Sequence, residues 1–205
     1  MYQRSRKNDG QLTMSDVDTK KLVIITAPSG SGKTTIVNHL LSALPQLAFS
    51  VSACTRKPRA GEQDGVNYHF ISLEDFTRRI AHHEFAEFEM VYEGKYYGTL
   101  KSELERIWNN QQIPMVDIDV QGALRLKKHY GHQTLSIFIK APSIEALEQR
   151  LRTRGSETAQ SLNERLDKAT EELSFSDQFD HIVVNDQLEQ ACQQAKTIIA
   201  DFLTD

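Results

Sequence analysis

The run Ala27, Pro28, Ser29, Gly30, Ser31, Gly32, Lys33, Thr34, Thr35 brings together the residue types that grip a polyphosphate. Small residues let successive backbone N–H groups curl around an anion, and a helix starting at the end of the loop adds the positive end of its dipole. Lys33 can reach terminal phosphate oxygens, and the Thr34 hydroxyl can ligate a divalent cation. The phosphate-loop pattern opens with glycine, and here Ala27 stands in that place. Alanine has the next smallest side chain and serves there unless φ is positive. A glycine- and serine-rich stretch alone is only a tight turn. A strand before it and a helix after it make it a nucleotide seat, and the sequence supplies both.

A second anion-binding set follows. Arg56, Lys57 and Arg59 fall within four positions, interrupted by Pro58, with Tyr68 nearby. The ordinary reading is a solvated basic turn. In a chain of net charge −4, a local basic cluster suits a small anionic partner, and forked guanidinium groups match the oxygens of a phosphate monoester. Farther on come Glu84, Glu87, Glu89, Tyr96, Tyr97 and Thr99. Guanine presents N1–H and its exocyclic amine side by side, so one carboxylate can accept from both; adenine has no such donor pair. A guanine reader is expected here, with a solvated acidic turn as the alternative for any single glutamate.

Asp117 and Asp119 stand two apart in "MVDIDV" and share one face if the strand runs through both. A strand-end aspartate beside a phosphate loop commonly holds Mg²⁺ or its waters. Arg150 and Arg154 are four apart, on one helical face ahead of Gly155, and Arg165 begins the next helical stretch. Taken alone, such arginines are usually exposed partners of glutamates such as Glu148.

The elements that must position these residues are legible as apolar patterns. "LVIIT" over Leu22–Thr26 reads as a strand buried on both faces. From Thr34 to Leu44, Ile36, Val37, Leu40, Leu41 and Leu44 recur at helical spacing, stopped by Pro45. Further strands are expected in "PMVDID" around Val116, in "LSIFIK" from Leu135 and in "HIVVN" ending at Asn185. Helices are expected over 144–152, 161–173 and 188–203. The alternation implies a mostly parallel sheet covered on both sides. The stretch from Ser52 to about Leu100 differs, with a "RAGEQDG" turn, the alternating piece "VNYHFI", a helix from near Leu73 and many aromatics. It reads as an α+β insertion over the C-terminal ends of the core strands. Trp108 and Phe138 read as core, and of the neighbours Tyr96 and Tyr97 one should face a ligand. His82 and His83 read as exposed helix residues.

A chain of 205 residues suits one sizeable core. Its 39% hydrophobic and 25% charged residues are those of an ordinary globular protein. The acidic balance argues against general nucleic-acid binding. Cys54 and Cys192 lie far apart without metal spacing, which suits a reducing compartment. No apolar run approaches the ~20 residues of a membrane span, and no leader pattern opens the chain, so a soluble cytoplasmic protein is expected. Residues 1–20 are polar and aperiodic and read as a disordered tail, with Met14 as an alternative start.

From about Lys21 to Leu203 the chain resembles the guanylate kinase family. The likeness rests on "APSGSGKTT", "TRKPRAGEQDGVNYHF", "YYGT", "VDIDVQGA", "RLRTRG" and "VVND", which occur in the family's order. It implies a P-loop NTPase-type α/β fold: a parallel sheet flanked by helices, with an α+β GMP-binding insertion and a short helical lid. The implied core covers 21–51, 101–143 and 169–205, the GMP-binding region 52–100 and the lid 144–168. The implied reaction moves the γ-phosphoryl group of MgATP to GMP, giving ADP and GDP. By the same resemblance, residues 27–35 hold the ATP phosphates, Asn185 meets the adenine, and Lys33, Arg150, Arg154 and Arg165 neutralise the transferring group. Arg56, Arg59, Tyr68 and Tyr97 would bind the GMP phosphate, while Ser52, Glu87 and Thr99 would read the guanine. Thr34 and, through water, Asp117 would serve Mg²⁺, and Asp119 would serve GMP. The segment between Glu87 and Tyr97 exceeds the family's shorter form by about one residue, and Glu87 rather than Glu89 is assigned to the base. The implied partners are ATP and GMP or dGMP, with no nucleic acid or membrane, in a monomer or homodimer. Two rivals are a non-catalytic guanylate-kinase-like binding module and a kinase of another acceptor such as a sugar phosphate. Intact Lys33, Thr34 and lid arginines oppose the first, and Ser52, Glu87 and Thr99 oppose the second.

Overall fold

Leu22–Thr26 (β1) is buried along its whole length at the centre of a five-stranded parallel sheet. The computed structural model describes residues 20–153 and 159–204, so the expected tail up to residue 19, and Arg154, lie outside the described residues. After β1 come α1 (Lys33–Ala43), β2 (Leu47–Phe49), β3 (Ala53–Cys54), β4 (His69–Phe70), α2 (Leu73–Ala81), β5 (Phe85–Tyr92) and β6 (Lys95–Leu100). Then follow α3 (Lys101–Asn109), β7 (Ile113–Asp117), α4 (Val120–Tyr130), β8 (Thr134–Lys140), α5 (Ile144–Thr153), α6 (Ala159–Leu173), β9 (His181–Val184) and α7 (Leu188–Thr204).

The large sheet is ordered β2-β7-β1-β8-β9. Strict alternation along β1 sends Val23 and Ile25 to one face, where Ile36 and Leu40 of α1 and Ala195 and Ile199 of α7 cover them. Leu22 and Ile24 go to the other, against Leu104 of α3 and Val120, Ala123 and Leu126 of α4. Both faces are thus dry, which is why the strands read as unbroken apolar runs. The C-terminal ends of β1 and β7, paired at Ile25 and Asp117, open onto the phosphate loop.

The insertion forms its own four-stranded sheet, ordered β4-β3-β6-β5, with α2 against it. Phe76 of α2 stacks on Phe85 of β5, ring centres 4.4 Å apart, and Tyr96 packs on the same cluster. The α5 and α6 helices share a third cluster of Leu147, Leu151, Leu162 and Ala169.

Two expectations need correction. Strand β7 stops at Asp117, so Asp119 does not lie on its face; its backbone (φ −70, ψ 168) places it at the N-cap of α4, with its carboxylate accepting from the N–H groups of Gln121 and Gly122. Capping an otherwise unpaired helix start contributes about 1 kcal/mol, enough to end the strand here. His82 and His83 are exposed but not helical: His82 closes α2, and His83 has φ 55. Phe138 is fully buried; Trp108 is half-buried against the core and donates its indole N–H to the Lys21 carbonyl at 2.8 Å. Among the described residues, no helix is long and apolar enough to cross a membrane.

Candidate active site

The loop between β1 and α1 turns on two glycines with left-handed backbone, Gly30 (φ 94) and Gly32 (φ 89). Ala27 is not at positive φ; it is buried and joins the core beneath α1, so the position tolerates a methyl group. Gly32 is glycine for a second reason: a Cβ there would lie 2.3 Å from the side-chain nitrogen of Asn185. That amide donates to the Ser31 carbonyl at 2.8 Å, while the Asn185 backbone N–H bonds Lys140. Asn185 therefore fastens the phosphate loop to the end of β9.

Lys33 forms an ion pair with Asp117 and reaches the Ile118 carbonyl at 3.4 Å. Burial alone would depress the lysine pKa, but the adjoining carboxylate outweighs it and the net shift is upward, so the ammonium stays charged. Arg165 of α6 donates to the Ser29 hydroxyl at 3.2 Å, bringing a second cation to the loop. Arg150 lies elsewhere. Its guanidinium is held by the Asn185 carbonyl at 2.8 Å, and with Thr35, Asn185 and Leu188 it lines a neighbouring pocket behind the loop.

Across a cavity of about 280 Å³ from the loop stand Arg56, Arg59, Tyr68 and Tyr97. Both Arg56 terminal nitrogens engage Glu62, at 2.6 and 2.7 Å, and Glu62 also accepts from the Arg59 backbone N–H at 2.7 Å. The guanidinium holds the Glu62 carboxyl down at about 2. Arg56 also lies over the Tyr68 ring at 4.9 Å, and Tyr68 meets Tyr97 edge-on at 5.9 Å. Burial raises the pKa of both phenols, so both keep their protons and can donate.

Deeper in the cavity, Glu87 is 5% exposed. One of its oxygens accepts from the Thr99 N–H at 3.0 Å and hydroxyl at 2.8 Å. The other lies 2.5 Å from where a Cβ on Gly122 would be, so the glycine of α4 makes room for this carboxylate. Burial, with the nearby Asp119 charge adding to it, pushes Glu87 up to about 7 despite the Thr99 bonds. Ser52 lines the same cavity. Glu89 is paired with Arg125 of α4 instead, and Tyr97 faces the cavity while Tyr96 packs into the insertion's core.

A family model described as guanylate kinase matches residues 19–202. The chain belongs to the guanylate kinase family. The guanylate kinase of Porphyromonas gingivalis is 47% identical over 184 residues, covering 89% of this chain and 98% of that protein. That of Bacteroides fragilis is 46% identical over 183 residues, 89% and 90% of the two chains. The crystal structure of guanylate kinase from Anaplasma phagocytophilum superposes with a TM-score of 0.72 at 28% identity, covering 90% of this chain and 86% of that one. The guanylate kinase fold, a parallel sheet flanked by helices, is the one observed.

Four participants in this guanylate kinase cleft were not read from the sequence. Glu62 was hidden in a turn, although an acid three residues beyond a cluster of three cations is a signal of pairing. Gly122 lies in the first turn of α4, a helix that the sequence patterns did not mark. Lys168 and Glu172, both lining the cavity, share one face of α6 with Arg165 by their spacing of three and four, a pattern present in the sequence. Burial pushes Glu172 up to about 7, with Lys168 and Lys33 pulling the other way.

Proposed function

We infer that the chain transfers the γ-phosphoryl group of ATP to GMP, giving ADP and GDP. The observation that carries this reading is the shared cavity: the phosphate loop and the Arg56, Arg59, Tyr68 and Tyr97 set face each other across it, with a buried carboxylate at its inner end. A phosphate monoester has a second pKa near about 6, so the GMP oxygen that attacks already carries charge and needs no dedicated base. The protein's task is to hold two mutually repelling phosphates in line and to offset the charge between them.

In this reading the loop N–H groups and Lys33 hold the ATP phosphates, and Arg165 closes on them from α6. Arg150 acts from the adjoining pocket, and Arg154 keeps the lid role that the family resemblance implies. The nitrogen of the Asn185 amide is engaged with Ser31, which leaves its oxygen to accept from the adenine amine. Arg56, Arg59, Tyr68 and Tyr97 seat the GMP phosphate. Glu87, steadied by Thr99 and beside Ser52, accepts from both guanine donors. Asp119 supports the same end from its cap on α4.

The oxygen donors present fit Mg²⁺. Thr34 opens α1 and Asp117 ends β7, both on the cavity, and hard oxygen ligands suit that ion. Among the described residues, no group of three or more His, Cys, Asp or Glu could hold a metal ion unaided, which suits a cation that arrives with phosphates. When bound, held by the Thr34 hydroxyl and, through water, by Asp117, it would offset the negative charge of the phosphates. Cys54 and Cys192 are free and buried, in keeping with a reducing cytosol.

The test is ADP release from MgATP against GMP, dGMP, AMP, CMP, UMP and ribose phosphates, with a no-acceptor control. Turnover confined to GMP and dGMP is expected. Binding of both nucleotides without turnover would favour the binding-module reading, and turnover with a sugar phosphate would favour the other.

A further inference from the structure

The hairpin that carries Glu87 contains an irregularity the catalytic assignments do not use. In the β5–β6 ladder Met90 faces Tyr96 and Tyr92 faces Lys95, so Val91 is an extra residue with no partner on β6. Such a bulge turns one peptide unit out of the ladder and frees its carbonyl for another donor. Lys168 of α6 takes it, its ammonium 3.4 Å from the Val91 carbonyl. The same ammonium lies 3.9 Å from Glu172, one turn farther along α6. Val91, Lys168, Glu172 and Arg165 all line the main cavity. One face of α6 thus reaches the phosphate loop through Arg165 and the guanine-side hairpin through Lys168.

We propose that Lys168 is a positioning residue that, through the Val91 bulge, couples the hairpin reading the acceptor base to the helix presenting Arg165 to the donor phosphates. The proposal rests on the assignment of GMP to the Glu87 end of the cavity. A hairpin drawn onto the base carries the Val91 carbonyl with it, and the bond to Lys168 draws α6 the same way. Arg165 then reaches the phosphate loop most fully when the acceptor is in place, which protects ATP from water. Glu172 supplies the second acceptor that a partly buried ammonium needs when the hairpin moves away.

The test uses the full chain with Lys168→Met, Lys168→Arg, deletion of Val91, and the deletion combined with Lys168→Met. For Lys168→Met, KM for GMP should rise and kcat should fall, each about tenfold, as expected for loss of one charge-assisted hydrogen bond. KM for ATP should stay put, and Lys168→Arg should recover most of the loss. The Val91 deletion should reproduce the defect, and the combined variant should be no worse than either alone, because both remove the same bond. Additive losses, a defect confined to KM for ATP, or a lowered Tm with unchanged kinetics would overturn the proposal. If the deletion variant does not fold, the Lys168→Met and Lys168→Arg pair decides by the same KM and kcat criteria. Failure of the unaltered protein to phosphorylate GMP would reject the functional assignment itself, before any variant is made.

Discussion

The two anion seats proposed for this cleft face each other and are made of different materials. The donor seat is backbone: peptide N–H groups between Ala27 and Thr34, bent into place by Gly30 and Gly32 and steadied by Asn185. The acceptor seat is side chain: Arg56, Arg59 and Tyr68 from the connection between β3 and β4, and Tyr97 from β6. Backbone donors are held by φ and ψ and lose no rotamer freedom on binding. Long side chains lose it, so the acceptor seat needs neighbours to hold it, and Glu62 and the Tyr68 ring do this for Arg56. A backbone seat is set by one contiguous stretch, whereas a side-chain seat depends on several.

The comparison can be broken most directly at Lys33, the charged side chain that belongs to the loop of the donor seat itself. Lys33→Ala should lower kcat by about 10³-fold, at the upper end for loss of one well-placed donor to a transferring group, with circular dichroism unchanged. GDP formation near the normal rate would show that the backbone seat suffices.

At the guanine end, Glu87→Gln should raise KM for GMP about 10²-fold, the loss of a charged acceptor serving two donors. The same carboxyl sets a pH dependence. Its pKa of about 7 means that below that pH it is protonated in the empty cleft, while guanine's donors require the charged form. The proton must then leave as GMP binds, and KM for GMP should rise by up to about tenfold per pH unit below pH 7. KM for ATP should not follow, and Glu87→Gln should remove the part of the step due to this residue, leaving only that of the GMP phosphate.

Removing the support rather than the donor should cost less. Glu62→Gln should raise KM for GMP about tenfold by releasing the Arg56 fork; a fall in KM would instead make Glu62 a competitor of the phosphate. The smallest effect is expected beside both seats. Asp119→Ala should lose about 1 kcal/mol of stability in denaturant unfolding with the helix cap, and Asp119→Asn most of that less.

What could be read from the sequence follows the same division. The donor seat, β1 and the helices over 144–153, 159–173 and 188–204 appeared nearly in place, because each is a contiguous pattern legible in its own stretch of sequence. Helices α3 and α4 escaped notice for opposite reasons. Leu100 caps α3 without a side-chain bond, and the helix follows β6 with no intervening loop to mark its start. In α4 the glycine in the first turn reads as a breaker, yet Gly122 is there to clear the Glu87 carboxylate, a reason that resides on a different strand. The displacement of Asp119 from strand to cap belongs to the same misreading. Glu62 pairs with Arg56 only six residues away, but the Lys168 contact with the Val91 carbonyl is made by the tertiary fold, and no local pattern announces it.

The fastening of the phosphate loop by Asn185 has a consequence for how the molecule comes into being. Residues 27–34 are made early, but the amide that holds Ser31 sits just beyond β9, and α7 then packs against α1 on the same side of the sheet. Synthesis runs from the N-terminus, so a nascent chain carries the whole phosphate-binding sequence long before it carries the clasp. The loop gains its Asn185 clasp only when the region after residue 181 has left the ribosome and joined the sheet, well after the loop itself has been made.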